Sequence, residues 1–495
     1  MMLIFELDGG SWTAIGPLLE QGRLPNIAGL ICRGASGVLR SIPPLLSPAV
    51  WTTIYTGQPR ERHGVQTFDA TSEDVRYKRL WDIAYANGII CGVCGSLVTW
   101  PPYNVGGFMI PDIMARDART IPPQFASLQE LVLKYPSRGH RRHYGLAAYP
   151  RYAVQLPRAG IKVRTMIALA QEVLTAALLR HPHRDTYWRR AILLQQLYAD
   201  AFLRLYHTYR PALSTYHYHA VDTLSHLYWE DFVVERGNSS SDNKGHREAL
   251  TAAYQSADRI LGKFLQAAGP GAVVLVISDH GFCRNPEPWP RYRVRLPRLI
   301  QILGLEGIAT PTRLAHQHFL YFRDSSHVED VGRTLRSAHF KETGEVVLPR
   351  VVTRGTSLFF PPPNTSGGGL TVVLPGHAEL PFEELFEDTG HVATGIHDPE
   401  GIVILAGPAV YQGVKLKEAS ILDVAPTALA LLGLPVARDM RGRIWTEAIH
   451  PQFWERFPLT VVDTYRREER RTSAPEISDK DVEILYQRLQ HLGYL

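Results

Sequence analysis

The chain has 495 residues, of which 45% are hydrophobic and 20% are charged, as in ordinary globular proteins. The formal net charge is only +5, and the one basic run, RREERR at 466–471, is interrupted by two glutamates, so we expect no nucleic-acid polymer as a partner. No segment has the length of a membrane span, the first residues lack the pattern of a signal peptide, and four cysteines are too few for a disulfide framework. These features predict a cytoplasmic protein.

Five apolar runs that end in polar, glycine-containing turns are predicted to be strands. In chain order they are LIFELDGG at 3–10, GIICGVCGS at 88–96, STYHYHAVDT at 214–223, AVVLVISDHG at 272–281 and GIVILAGP at 401–408. Amphipathic patterns predict helices over Asn26–Arg33, Lys78–Asn87 and Arg247–Ala268. This alternation predicts an α/β fold with a mostly parallel central sheet and helices on both faces.

Two long segments interrupt the alternation. Residues 112–210 are predicted to be mainly helical, and residues 283–390 a mixture of helix and strand. We interpret both as insertions that form a cap on a single domain spanning 1–495, with a tail at 446–495 that ends in a predicted helix over 478–492. Both insertions are rich in Tyr, Trp and Arg, which suits selection of an aromatic or anionic leaving group. A solvated arginine-rich surface explains the same composition equally well.

Cys91 and Cys94 form a CxxC pattern inside an apolar, strand-like run. A lone CxxC pair lacks the second pair of ligands that a metal site needs. We therefore interpret both cysteines as buried structural residues.

A proline-rich run ends at Ser47, and Pro48 precedes a predicted short helix, Ala49–Tyr55. Serine is a favoured N-cap residue, and proline is favoured at the first helical position. A hydroxyl at a helix N-terminus also lies where free backbone N–H groups can hold an anion. Both interpretations of Ser47, helix cap and anion-site residue, stay open at this point.

Three of the predicted strands end in aspartate, at Asp8, Asp222 and Asp279. Open α/β sheets bind ligands beyond the carboxyl ends of their strands. Three carboxylates at one sheet edge repel one another unless cations lie between them. The pattern therefore predicts a metal site.

Histidines accompany these aspartates. His226 follows Asp222 by four residues, a spacing that places both side chains on one helix face. His280 follows Asp279 directly, and His397 lies just before the last predicted strand. Carboxylates together with imidazoles are the ligand set of zinc, or of manganese where oxygen ligands dominate.

Two such ions with Ser47 between them would form a two-metal phosphoryl-transfer site, in which the serine is an activated nucleophile. Most of the 20 histidines have simpler interpretations as core or surface residues. We give that interpretation to His217 and His219, and to His316 and His318, because each pair alternates along a strand-like segment.

Further segments carry a family resemblance when read in order with these sites. They are LDG at 7–9, LPNIAGLICRGA at 24–35, SPAVWTTIYTGQPRERHGV at 47–65, VTWPPYNVGGFMI at 98–110, VDTLSHLYW at 221–229, ISDHGF at 277–282, GIHDPEGIVILAGP at 395–408 and ILDVAPTALALLGLPVARDMRGR at 421–443. The series resembles the type I phosphodiesterase/nucleotide pyrophosphatase branch of the alkaline phosphatase superfamily. The resemblance covers most of the sheet but not the insertions, and it implies an alkaline-phosphatase-like fold.

The resemblance implies two divalent metal ions, zinc first and manganese second. The ligands carried over by position are Asp222, His226 and His397 for one ion, with His391 as the rival of His397, and Asp8, Ser47, Asp279 and His280 for the other.

The resemblance also implies that Ser47 attacks phosphorus and forms a phospho-serine intermediate, which water then hydrolyses. Trp51, Gln66 and Trp100 are the expected substrate-binding residues. Where nucleotide pyrophosphatases have an asparagine that contacts the phosphate, this chain offers Gln66 and Asp69. This departure leaves a nucleotide substrate open.

We predict a two-metal-dependent phosphodiesterase that hydrolyses a phosphodiester or pyrophosphate bond in a small molecule. One alternative is a phosphomonoesterase or phosphomutase of the same superfamily, which would favour an additional cation near the site. An alternative of another class is a non-catalytic protein that binds metal or phosphate, which the complete ligand set disfavours. The sequence around Ser47 lacks the CxPxR-like context of sulfatases, so we exclude that activity.

Overall fold

The computed structural model describes residues 1–134, 149–178, 184–234, 244–285, 292–314, 317–322, 324–348, 351–360, 368–388 and 394–468. These residues belong to two compact units. The first contains the described parts of 1–284 and 395–468, and the second contains the described parts of 285–394.

The strands within the described residues lie in both units. They are β1 (Met2–Leu7), β2 (Gly34–Arg40), β3 (Cys91–Cys94), β4 (Gly106–Ile110), β5 (Leu213–Tyr218), β6 (Val273–Ile277), β7 (Gly281–Arg284), β8 (Tyr292–Val294), β9 (Ala309–Leu314), β10 (Gln317–Phe322), β11 (His339–Phe340), β12 (Val352–Arg354), β13 (Ser357–Phe360), β14 (Thr371–Leu374), β15 (Ala378–Pro381), β16 (Phe386–Asp388), β17 (Gly395–Asp398), β18 (Glu400–Ala406), β19 (Val414–Ser420), β20 (Val436–Ala437) and β21 (Val461–Val462).

The α-helices within the described residues are α1 (Trp12–Glu20), α2 (Pro25–Cys32), α3 (Ser47–Thr56), α4 (Arg60–His63), α5 (Leu80–Ala86), α6 (Ala126–Lys134), α7 (Tyr149–Arg158), α8 (Val163–Leu178), α9 (Arg184–Tyr209), α10 (Ala220–Val234), α11 (Lys244–Ala268), α12 (Leu296–Ile302), α13 (Val328–Arg336), α14 (Phe382–Leu385), α15 (Val424–Leu431) and α16 (Pro451–Arg456). None of them is both long enough and apolar enough to cross a membrane.

Eight strands of the first unit form the central sheet, in the order β19-β2-β18-β6-β1-β5-β3-β4. Every neighbouring pair is parallel except the two pairs that contain β18. Seven strands therefore run in one direction, and β18 runs in the other. The predicted mostly parallel α/β sheet is confirmed.

Helices cover both faces of this sheet, because successive side chains of a strand point to opposite sides. Along β1, Met2 and Ile4 belong to a core cluster that includes residues of α3, α5 and α15. Leu3 and Phe5 belong to a second cluster, which includes residues of α1, α2 and α9 to α11. β1 and β5 are buried over their whole length, as the central strands of a parallel sheet must be.

The five predicted strands correspond to β1, β3, β5, β6 and β18, and the three predicted helices correspond to α2, α5 and α11. The apolar patterns in the sequence did not predict the other three strands of the sheet, which are β2, β4 and β19. β2 reads GASGVLR, and its glycines resemble a turn. They are needed for close strand packing, because a Cβ on Gly37 would lie 2.5 Å from the carbonyl oxygen of Leu416 on β19.

Within residues 112–210, the described part contains α6 to α9, which contribute Leu128, Leu156, Leu169 and Leu197 to a core cluster of the first unit. The second unit has a core cluster of its own and contains a four-stranded sheet, β12-β13-β10-β9, and a three-stranded sheet, β11-β14-β15. The interpretation of these segments as cap-forming insertions on one domain stays a prediction. The predicted tail helix over 478–492 and His391 lie outside the described residues.

Of the two interpretations of Ser47, the helix cap is wrong. Ser47 is the first residue of α3, the N-cap is Leu46, and no side chain within the described residues caps this helix end. The N–H groups of Ala49 and Val50 both donate to the Leu46 carbonyl oxygen at 2.9 Å, and the proline before them has no N–H. These N–H groups of the first turn are therefore bonded within the helix and not to the Ser47 side chain. The Ser47 hydroxyl is available for contacts outside the helix.

His63, at the end of α4, is buried and bonded to neighbours on both sides. The Val65 N–H donates to His63 Nδ1 at 3.1 Å, so this nitrogen carries no proton, and Nε2 lies 3.0 Å from Thr53 Oγ1 on α3. Burial lowers the pKa of His63 to about 4. The neutral imidazole is therefore the form that fits the fold.

We predict that protonation of His63 destabilises the folded chain. The unfolded chain binds this proton with a pKa near 6.5 and the folded chain only near 4, so the contribution to stability is complete above pH 6.5 and is lost as the pH falls towards 4. At about 1.4 kcal/mol per pKa unit, the loss approaches about 3 kcal/mol at the acid end. Denaturant unfolding between pH 7 and pH 4 measures it. His63→Gln cannot titrate and should have the flatter profile, whereas parallel profiles would contradict the prediction.

Candidate active site

The three predicted aspartates follow three neighbouring strands. Asp8 follows β1, Asp222 lies in the first turn of α10 after β5, and Asp279 follows β6. Because β5, β1 and β6 are adjacent and parallel, their carboxyl ends meet at one edge of the sheet. The left-handed Gly9, with φ of 69°, turns the chain after Asp8, and its N–H donates to Asp279 Oδ1 at 3.3 Å. All three carboxylates are fully buried.

Asp222, His226 and His397 form one cluster, which we call the Asp222 group. The Nε2 atoms of the two histidines lie 3.0 Å apart, and His397 Nε2 lies 3.3 Å from Asp222 Oδ1. The His226 Nε2 atom lies 3.7 Å from the same oxygen. His397 reaches this edge because its strand, β17, pairs antiparallel with β7, which follows Asp279 directly.

Asp8, Asp279 and His280 form the second cluster, the Asp8 group. His280 Nε2 lies 3.2 Å from Asp279 Oδ2 and 3.9 Å from Asp8 Oδ1. The same nitrogen lies 3.9 Å from Asp222 Oδ1, so the two groups adjoin. The Ser47 Oγ atom lies 3.3 Å from His280 Nε2 and is almost completely buried. The structure therefore brings all seven predicted ligand residues together.

Hydrogen bonds orient the three histidines of these groups in the same way. A backbone carbonyl oxygen only accepts, so each Nδ1 that faces one carries a proton, and Nε2 is the nitrogen that faces the aspartates and can bind a metal ion. The pairs are His226 Nδ1 to Gly395 O at 3.2 Å, His280 Nδ1 to Gly281 O at 3.1 Å, and His397 Nδ1 to Leu45 O at 3.0 Å.

This donor set fits divalent metal ions. In each group the three ligand atoms lie within 4.8 Å of one another. Among the described residues, Asp8 Oδ1 and Asp279 Oδ2 are buried and accept no hydrogen bond. Lone pairs that converge without protons between them are stabilised by cations. The imidazole-rich Asp222 group suits zinc, and the Asp8 group, which is richer in oxygen, suits zinc or manganese.

Burial and the repulsion among the three carboxylates also shift the pKa values of the site residues. Burial and the charge of Asp8 raise the pKa of Asp279 well above its ordinary value. Burial and the neighbouring His397 lower the pKa of His280 to about 3. For Asp222, burial and Asp8 act upwards, but the two histidines of its group outweigh them and hold the pKa at about 2. Without cations, the like charges thus push one carboxyl group towards its neutral form.

Three residues of the site are absent from the sequence prediction or were interpreted there as core. Glu6, His217 and His219 are buried directly behind Asp8. His217 Nε2 and His219 Nδ1 each lie 3.0 Å from Asp8 Oδ2, and His217 Nδ1 lies 3.1 Å from Glu6 Oε2. The sequence carries a signal that could have found them. Glu6 is a charged residue within the apolar run LIFELD, and His217 and His219 alternate along another predicted strand.

The predicted substrate-binding residues lie in three different environments. Trp51 is fully buried and packs its ring against His217 at 5.1 Å, so the structure does not bring it to a ligand-accessible surface. Gln66 is exposed. Trp100 lines a small cleft together with Pro48, the residue next to the candidate nucleophile.

Two arginines cover the indole of Trp100 in this cleft region. The guanidinium groups of Arg116 and Arg119 lie 5.0 and 5.1 Å from the ring centroid, a cation–π geometry. Trp100 Nε1 donates to Asp117 Oδ1 at 3.0 Å. The cleft thus has an aromatic wall next to the site, with cationic and carboxylate groups around it.

The CxxC pair contributes nothing to the site. Cys91 and Cys94 are buried in β3 with free thiols. Burial raises the pKa of the Cys91 thiol to about 12 and also raises that of Cys94, so both stay protonated and unreactive.

Comparison with solved structures finds phosphonoacetate hydrolase from Sinorhizobium meliloti 1021, in one crystal structure with phosphonoacetate and in another with phosphonoformate. In each case the identity is 14%, the TM-score is 0.44, and the match covers 86% of this chain and 94% of that chain. A comparison with curated protein sequences finds no match.

Comparison with known families gives a more direct result. The family described as type I phosphodiesterase / nucleotide pyrophosphatase matches residues 2–310, which is more than half of the chain. This range contains six of the seven candidate ligand residues, all except His397, and it confirms the resemblance expected from the sequence motifs. The chain therefore belongs to the type I phosphodiesterase/nucleotide pyrophosphatase family and is a phosphoric ester hydrolase.

Proposed function

We propose that the protein is a two-metal-dependent phosphodiesterase that hydrolyses a phosphodiester or pyrophosphate bond through a phospho-serine intermediate on Ser47. The observation that carries this proposal is the position of Ser47 Oγ, 3.3 Å from His280 Nε2, at the point where the Asp8 and Asp222 groups adjoin. Family membership supports a phosphate ester of a small molecule as the substrate class.

The Asp222 group would hold one ion, and the Asp8 group with the Ser47 hydroxyl would hold the other. Bound there, divalent ions lower the pKa of a hydroxyl and neutralise charge on the phosphoryl oxygens. Zinc suits the mixed imidazole and carboxylate ligands, and manganese is the second choice.

The side chains of the protein have separate tasks in this reaction. The Nδ1 proton of His280 is held by the Gly281 carbonyl oxygen, which leaves Nε2 for the ion of the Asp8 group. Ser47 Oγ lies 3.3 Å from this nitrogen, close enough for both atoms to be ligands of the same ion. Ser47 loses its hydroxyl proton to water, Oγ forms a bond to phosphorus, and the bond from phosphorus to the leaving oxygen breaks, so that the leaving group departs and takes up a proton. A water molecule then attacks phosphorus, the bond from phosphorus to Oγ breaks, the phosphate product leaves and the Ser47 hydroxyl is regenerated.

Arg60 and Arg62, which follow α3 in the sequence, are both engaged with carboxylates. Arg60 pairs with Glu61 at 2.9 Å, and Arg62 pairs with Asp439 at 3.1 Å. A phosphate monoester carries an additional negative charge and would favour a cation at the site. Because Arg60 and Arg62 are paired to carboxylates, neither supplies that additional cation, which favours a diester over a monoester as far as these two residues are concerned.

We predict that Ser47→Ala abolishes hydrolysis of bis(p-nitrophenyl) phosphate, with kcat reduced roughly 10³-fold or more, because the nucleophile is lost. Zinc-loaded wild type and variant are assayed with this diester and with p-nitrophenyl phosphate side by side. Ser41→Ala is the matched control, because Ser41 is also buried on the segment that leads into α3. Full activity in Ser47→Ala would contradict the phospho-serine, and a wild-type preference for the monoester would favour the phosphomonoesterase alternative.

We also predict that each group holds one ion. After chelator treatment and reloading with zinc or manganese, wild type should contain two equivalents, whereas His397→Gln and Asp279→Asn should each contain about one, because each has lost a ligand of one group. Elemental analysis after gel filtration measures this. His318→Gln is the control, since His318 is a buried histidine of the second unit. Two equivalents in both ligand variants would contradict the assignment.

A further inference from the structure

Behind the Asp8 group lies a row of four hydrogen-bonded side chains, which we call the inner row: Glu6, His217, Asp8 and His219. Glu6 and Asp8 are on or just after β1, and the two histidines are on or just after the neighbouring strand β5. None is more than 4% exposed. The metal-site assignments above use only Asp8 of these four residues.

Glu6 is the fixed end of the inner row. Its carboxylate accepts hydrogen bonds from Tyr55 Oη at 2.9 Å, Ser96 Oγ at 3.0 Å and His217 Nδ1 at 3.1 Å. A buried carboxylate is tolerated only when donors surround it in this way. The three donors come from α3, from the loop after β3 and from β5, so Glu6 is held in place by three separate elements. Its hydrogen bond with His217 Nδ1 therefore fixes the orientation of the His217 ring.

His217 in turn orients the carboxylate of Asp8 through a hydrogen bond. Its Nε2 lies 3.0 Å from Asp8 Oδ2, and His219 Nδ1 lies 3.0 Å from the same oxygen. Carboxylate oxygens only accept, so both histidines donate to Oδ2. The other oxygen, Oδ1, is the one that accepts no hydrogen bond among the described residues and lies 3.9 Å from His280 Nε2.

We propose that Glu6, His217 and His219 are positioning residues that hold Asp8 by one oxygen, so that Asp8 offers only Oδ1 to the metal of the Asp8 group. This inference rests on the proposed function, since it assigns a role toward that metal ion.

A metal-ligand role for His217 itself fits the geometry less well. Both of its nitrogens face carboxylate oxygens at hydrogen-bond distance, so both carry protons and neither has a lone pair for a metal. The histidines of the two metal groups differ in this respect, because each uses one nitrogen on a carbonyl oxygen and directs the other at the site. The hydrogen-bond partners thus separate His217 from the three histidines of the metal groups.

The test is zinc binding by full-length protein in competition with a chelator of known affinity, with the zinc content measured by elemental analysis. His217→Gln should bind one of the two equivalents about 10- to 100-fold more weakly and the other with wild-type affinity, as found for residues that orient metal ligands. Glu6→Gln, which keeps an acceptor for His217 but loses the charge, should weaken the same equivalent by a smaller factor. His318→Gln controls for loss of a buried histidine, and unfolding curves of the metal-free variants control for stability.

Each possible result decides the matter. Wild-type zinc affinity of both equivalents in His217→Gln would overturn the positioning role, and if that variant fails to fold, the same result in Glu6→Gln would overturn it. A third zinc equivalent in wild type that His217→Gln loses would overturn it too, because His217 would then be a ligand. Failure of the proposed function looks different, since wild type and Asp8→Asn would then both bind no zinc, and the positioning role would fall with it.

Discussion

Repulsion among buried carboxylates is the constraint on which the arrangement of this site depends. Asp8, Asp222 and Asp279 are fully buried side by side at the ends of three strands, where water cannot screen their charges. His217 and His219 offset part of the charge by donating hydrogen bonds to Asp8, but burial and the remaining carboxylate repulsion still raise the pKa of Asp279 well above its ordinary value. Cations at the candidate metal groups would offset the rest, and their binding would then stabilise this sheet edge.

The direction of a single strand completes the site. In a wholly parallel sheet, residues that precede a strand lie at the opposite edge from those that follow one. Because β18 is reversed, its beginning lies at the edge where β1, β5 and β6 end. The preceding strand, β17, pairs with β7 there and adds His397 to the Asp222 group. Residues more than one hundred positions apart in sequence thereby meet in one candidate metal-binding group.

The histidines at this edge have two roles, which their hydrogen-bond partners assign. His226, His280 and His397 bond to backbone carbonyl oxygens, whose positions the main chain sets, and direct the other nitrogen into the site. His217 lies between two carboxylates and gives protons to both. The first arrangement suits a metal ligand, and the second neutralises the charge of two carboxylates.

The sequence by itself determined the central strands, their terminal aspartates and the pairing of Asp222 with His226, because each is encoded in a local pattern of apolar residues or in a spacing of four. It also determined the family, through the order of short motifs. Only the tertiary structure decided that Ser47 does not cap its helix, that Trp51 is enclosed, that β2 is a strand despite its glycines, and that Glu6 and His217 support Asp8. These features depend on which residues of distant segments face each other across the sheet, and no local pattern carries that information.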